Sequence, residues 1–140
     1  IASRKLTVVT NSLEIANILS SSQTIHLFLI GGEYSHRTKS FEGSSTHRSL
    51  KQYFFDKAFI SCRSVDIEFG ITDTSDTSAV IHHLALSHAK QKYLVVDHSK
   101  LDKVSFTSVA PLSELDGIVM DTEFSPEWKD FLDKNNIRYY

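Results

Sequence analysis

The chain has 140 residues, 41% of them apolar and 23% charged, with a formal net charge of −2. This suits one globular domain with a real core and excludes a strong electrostatic grip on nucleic acid or on a membrane surface by this chain alone. The one cysteine, Cys62, excludes an internal disulfide framework and fits a reducing, cytoplasmic setting, and no apolar run approaches the roughly 18 residues of a membrane span.

In chain order, the first predicted element is a strand at 6–10 (LTVVT), reached within six residues of a start that lacks methionine. Such an opening predicts a fragment of a longer chain, with any upstream module out of view. A helix is predicted at 11–21, with Leu13, Ile15, Ala16, Ile18 and Leu19 on one stripe and Asn11 or Ser12 as its N-cap. A strand at 25–30 (IHLFLI) leads into a polar loop over 30–43, followed by a second helix at 44–54. Further strands are predicted at 57–62 (KAFISC), 92–97 (KYLVVD) and 117–121 (GIVMD), with a weaker one at 137–140. The longest helix is predicted at 75–91, with Ala79, Val80, Leu84 and Ala85 inward. The last, at 125–136, opens with Ser125 as N-cap and Pro126 in the first turn. Alternating strands and helices predict an α/β domain. The strands mostly lack clean alternation, which predicts a parallel sheet covered on both faces.

In such sheets ligands bind outside the carboxyl ends of the strands. Four predicted strand ends carry small or polar groups: TNS (10–12), GGEY (31–34), SCRSVD (61–66) and DHSK (97–100). One site built from four loops is the economical expectation. Thr10, Asn11 and Ser12 either cap a helix or place a hydroxyl or phosphate at its N-terminus. Gly31 and Gly32 permit close backbone approach to a ligand or a left-handed turn, and Arg37 and Lys39 in the same loop suit an anion. The spacing is not that of a Walker loop. Cys62 reads as a small core residue rather than a nucleophile. His82, His83 and His88 read as surface-helix residues without metal-ligand spacing, and no metal site is expected. Lys100 suits a phosphate or carboxylate, with Asp97 beside it either positioning the lysine, binding a hydroxyl or moving a proton; a surface turn with a local salt bridge is the plainer alternative.

Taken in order, LTVVTNSLEIANIL, IHLFLIGGEYSHRTKSFEG, FDKAFISCRSVDIEFGITD and YLVVDHSKLDKVSFTSVAPLSELDGIVMD resemble the C-terminal sensor domain of DeoR-type bacterial transcription regulators, from Leu6 to about Asp121. The resemblance implies an open, mostly parallel sheet with helices on both faces, the fold shared with ribose-5-phosphate isomerase and glucosamine-6-phosphate deaminase. It implies a single sugar-phosphate-sensing domain over 1–140 that lacks its first strand and helix and the helix-turn-helix preceding them. A phosphorylated sugar or related metabolite is the implied effector, with operator DNA bound through that missing domain and a homo-oligomer expected. No catalytic residue, cofactor or membrane contact is implied. Asp97 and Lys100 match a D-x-S-K element shared with the isomerases, and Thr10, Asn11, Gly31 and Gly32 match the family's other pocket loops. Arg63 stands where the family usually has an acid, which inverts the local charge, suits an anion and weakens the alternative of an isomerase- or deaminase-like enzyme. Ser78 and His82 stand where glutamate and lysine are common.

Overall fold

The computed structural model describes residues 5–140. They form two compact units, one ending at Gln52 and one running from Tyr53 to Tyr140.

The first unit is a parallel β–α–β pair followed by a small hairpin and a helix. Strand β1 (Leu6–Thr10) and strand β2 (Ile25–Leu29) pair in register from Leu6 opposite Ile25 to Thr10 opposite Leu29. Helix α1 (Leu13–Leu19) connects them; its cap is Ser12, whose hydroxyl accepts the Ile15 N–H at 3.3 Å. The predicted polar loop contains an antiparallel hairpin, β3 (Glu33–Ser35) and β4 (Ser40–Glu42), with Tyr34 opposite Phe41 and their rings in edge contact at 5.6 Å. Three-residue strands leave too little pattern to be seen in a sequence. Helix α2 (Ser44–Leu50) follows and is shorter than expected.

The second unit holds a four-stranded parallel sheet in the order β11–β10–β8–β5, formed by β5 (Phe55–Ile60), β8 (Ala89–Val96), β10 (Gly117–Met120) and β11 (Arg138–Tyr139). A second, antiparallel sheet joins β6 (Ser64–Asp66), β7 (Gly70–Asp73) and β9 (Thr107–Ala110). The β6–β7 turn is built by Asp66, whose carboxylate accepts the N–H groups of Glu68 and Phe69, and by Gly70 at φ +75°. Helix α3 (Asp76–Ser87) stops four residues before its predicted end, because 89–92 pair with β5 and so become strand. Sheet pairing overrides the helix preference of that stretch. Helix α4 (Pro126–Lys134) starts as predicted, with the Ser125 hydroxyl accepting the Trp128 N–H at 3.4 Å.

One apolar cluster holds this unit together. Ala58, Ile60, Leu94, Val96 and Ile118 line one face of the parallel sheet and pack in it with Ala79 and Leu86 of α3 and Trp128 and Leu132 of α4. On the other face Phe59 is 62% and Val95 41% exposed, because α3 and α4 both pack on the same side of this sheet. On that face Phe59 stacks on Tyr93 at 5.1 Å, and the Tyr93 ring fills the space a Cβ on Gly117 would take. Among the described residues no helix is long and apolar enough to cross a membrane.

Candidate functional site

In the first unit the carboxyl ends of β1 and β2 lie side by side, so Thr10–Ser12 and Gly31–Gly32 open on one edge. The Thr10 hydroxyl accepts the Ser12 N–H at 3.1 Å. Asn11 is stitched to the hairpin: its side-chain amide donates to the Phe41 carbonyl at 2.9 Å, and its own carbonyl accepts the Phe41 N–H at 2.8 Å. Both the capping and the loop-anchoring functions of this motif are therefore in use. The Gly31 carbonyl accepts the hydroxyl of fully buried Thr46 at 2.8 Å. Gly32 sits at φ +154°, tight against Thr46 and the Glu42 carbonyl. Arg37 is exposed in the hairpin turn. Lys39 is turned to Glu14 at 2.8 Å, and that carboxylate raises its pKa above the ordinary lysine value.

In the second unit β5 ends at Ile60 opposite Leu94, two residues before the end of β8 on the same edge. Asp97 caps the single 3-10 turn His98–Lys100: its carboxylate accepts the Ser99 N–H at 2.9 Å and the Ser99 hydroxyl. The Ser99 hydroxyl contact is the main reason its carboxyl is held below the usual range, with the Lys100 and His98 charges adding to it. Asp97 thus positions the turn that carries Lys100. Lys39, Lys90, Lys129 and Lys134 each reach a carboxylate, while half-buried Lys100, like Lys51, Lys57, Lys92 and Lys103, makes no ion pair among the described residues. His98 turns to Asp121, its ring Nδ1 2.9 Å from one carboxylate oxygen while its N–H donates to the other at 2.8 Å. Arg63 is exposed between buried Cys62 and buried Ser64.

Cys62 is held inert. Burial pushes its thiol up to about 12, and the Asp73 carboxylate pushes the same way against a smaller opposing pull from Lys100. At pH 8 its thiolate fraction, and hence its alkylation by iodoacetamide, is expected to be on the order of a thousandfold below that of an ordinary cysteine. Mass spectrometry of the native and the urea-unfolded protein checks this; labelling at equal rates in both would refute it.

Several contacts were not visible in the sequence pattern. His82 lies 3.4 Å from Asp73, His83 contacts the Val109 carbonyl at 3.2 Å and His88 the Tyr53 carbonyl at 2.8 Å, so these are not plain surface-helix residues. Ser64 and Ser105 share a hydrogen bond at 2.7 Å, and the Ser105 N–H donates to Thr72 at 2.8 Å, tying the β6–β7 hairpin to the chain after Lys100. The alternation in SVDIEFGITD, with glycine after the turn, was the signal for that hairpin.

Paired parallel strand ends whose loops carry glycines, capping side chains and a lysine-bearing turn are the arrangement in which open α/β sheets bind small molecules. The family model of the DeoR C-terminal sensor domain matches residues 1–122, and the chain belongs to that family. The chain is 42% identical over 120 residues to the lactose phosphotransferase system repressor of Staphylococcus aureus (strain N315), covering 84% of this chain and 47% of the relative. It is 42% identical over 123 residues to the repressor of the same name from Lactococcus lactis subsp. lactis, covering 88% and 48%. A Staphylococcus epidermidis repressor (strain ATCC 12228 / FDA PCI 1200) is 38% identical over 118 residues, covering 83% and 47%. The chain spans about half the length of these relatives, which are repressors by name.

Proposed function

We propose that this sensor domain binds a phosphorylated sugar, and that binding changes operator affinity through an upstream helix-turn-helix in an oligomeric cytoplasmic repressor. Lys100 is the observation that carries the reading: a half-buried ammonium without an ion pair among the described residues, held at a strand end by the Asp97-capped turn. An ammonium so placed is a point-charge receptor for phosphate. The relatives' name points to sugars phosphorylated on uptake in lactose metabolism. The same reading assigns effector contacts to Thr10, Asn11, Gly31, Gly32 and Arg37 in the first unit and to Arg63, Asp97 and Lys100 in the second.

The finer architecture proposed with it is that of ribose-5-phosphate isomerase and glucosamine-6-phosphate deaminase, with helices on both sheet faces and a first strand and helix contributed from upstream of Ile1. Two observations support it. β1 and β5 each have one ladder partner among the described residues, and Phe59 and Val95 stand exposed on the open sheet face.

Calorimetric titration of the intact protein with phosphorylated lactose and its hexose phosphate products tests the function. At least one is expected to bind, and Lys100→Ala to weaken that binding tenfold to a hundredfold, the scale of a lost charge-assisted contact. Binding by none, or full affinity in Lys100→Ala, would overturn the reading.

A further inference from the structure

We propose that Asp121 is a positioning residue for effector binding, which ties the turn carrying Lys100 to the end of β10 and so sets where the ammonium stands. The inference rests on the reading of Lys100 as the phosphate contact and adds a residue outside the turn on which that contact depends. Asp121 directly follows β10, and Met120 at the end of that strand lies opposite Val96 at the end of β8. Asp97 and Asp121 therefore leave adjacent parallel strands at the same edge, and both carboxylates engage one 3-10 turn. Asp97 accepts the Ser99 N–H at 2.9 Å from within the turn. Asp121 holds the first residue of the turn from the neighbouring strand end. One of its oxygens accepts the His98 N–H at 2.8 Å, and the other lies 2.9 Å from the His98 ring Nδ1.

Backbone hydrogen bonds carry this hold to Lys100. The Lys100 N–H donates to the Asp97 carbonyl at 3.1 Å, and the Leu101 N–H donates to the His98 carbonyl at 3.3 Å, so a shift of His98 takes Lys100 with it. Beyond the lysine, Leu101 bridges to Val65 of β6. None of His98, Ser99 and Lys100 is buried, so polar ties rather than packing fix the turn. The Asp121 and His98 side chains are themselves 46% and 65% exposed, and an exposed pair of this kind adds little to global stability. Its effect is therefore expected in binding. The sign of the effect separates positioning from simple charge. A carboxylate close to a bound phosphate repels it, so removing a bystander Asp121 would tighten binding. Removing a residue that places Lys100 weakens it.

Calorimetry on the intact protein tests this, with the hexose phosphate that the wild type binds most tightly. The variants are Asp121→Ala, Asp121→Asn, Lys100→Ala and the Lys100→Ala/Asp121→Ala double variant, each also unfolded in urea by circular dichroism. Asp121→Ala is expected to weaken binding about fivefold to tenfold at an unchanged urea midpoint. Asp121→Asn keeps an acceptor for the His98 N–H and loses the charge, and is expected to bind within about twofold of wild type or tighter. In the Lys100→Ala background, Asp121→Ala is expected to change binding by less than about twofold, because no ammonium is left to position. Equal or tighter binding by Asp121→Ala overturns the proposal, as does Asp121→Asn as weak as Asp121→Ala, or a full further loss in the double variant. A lowered urea midpoint in Asp121→Ala makes the residue structural and overturns it too. Should Lys100→Ala bind too weakly to titrate, the comparison of Asp121→Asn with Asp121→Ala decides. Wild-type protein that binds no hexose phosphate removes the sensor reading and this role with it. Wild-type binding that Lys100→Ala weakens and Asp121→Ala does not removes the role of Asp121 only.

Discussion

Trp128→Ala is expected to destabilise the second unit by about 3–5 kcal/mol, the usual cost of emptying a large buried aromatic site. Trp128 is 1% exposed and sits between Phe124 and Phe131, at ring-centroid distances of 6.2 and 6.4 Å. Its indole N–H donates to the Asp102 carboxylate at 2.9 Å, which satisfies the one polar atom that burial would otherwise orphan. The truncation removes packing between α4 and the parallel sheet and strands that bond as well. Trp128→Phe keeps most of the volume and loses the bond to an exposed partner, so a loss of about 1 kcal/mol is expected there. Because Trp128 is the one tryptophan of the chain, unfolding is followed by circular dichroism in urea. A Trp128→Ala midpoint equal to wild type would refute the assignment of this residue to the centre of the core.

Gly32→Ala is expected to cost roughly 2–4 kcal/mol, combining left-handed backbone strain with overpacking. The backbone there has φ +154°, and an added Cβ would fall 2.0 Å from the Thr46 hydroxyl oxygen and 2.6 Å from the Glu42 carbonyl. Thr46 cannot yield easily, since it is fully buried and its hydroxyl holds the Gly31 carbonyl. The neighbouring glycine supplies the control. A Cβ on Gly31 meets nothing within 4 Å, so Gly31→Ala is expected to stay within about 0.5 kcal/mol of wild type. Equal effects of the two substitutions in urea melts would show that the loop is not packed as described. Of the two glycines in the motif, the second is thus required by packing and the first is open on its Cβ side.

Much of the framework was legible from residue patterns. The runs at 6–10, 25–30 and 117–121 are strands within a residue of their predicted bounds, because long apolar runs between polar turns signal burial directly. Ser12 and Ser125 cap their helices because capping uses atoms two or three residues apart. Asp97 and Lys100 were visible for the same reason: the turn that carries the lysine is made by the neighbouring side chain. The β3–β4 hairpin was not, since its three-residue strands have almost no periodicity of their own. The end of α3 was misplaced because strand pairing with β5 lies more than thirty residues away in the chain.

The polar contacts divide along the same line. His82 reads as a surface-helix residue until β7 places Asp73 beside it, and the Trp128 N–H finds its partner in Asp102, 26 residues away. The order of strand-end motifs was enough to indicate a DeoR-type sensor, and the family match bears this out. What the sequence by itself determined were the apolar strand runs, the helix starts and the glycine- and lysine-bearing turns, all set by interactions within a few residues. Tertiary structure alone decided which sheet face the helices cover, where α3 gives way to strand and which buried polar groups meet. Those outcomes depend on side-chain directions and on partners distant in the chain, which local spacing does not encode.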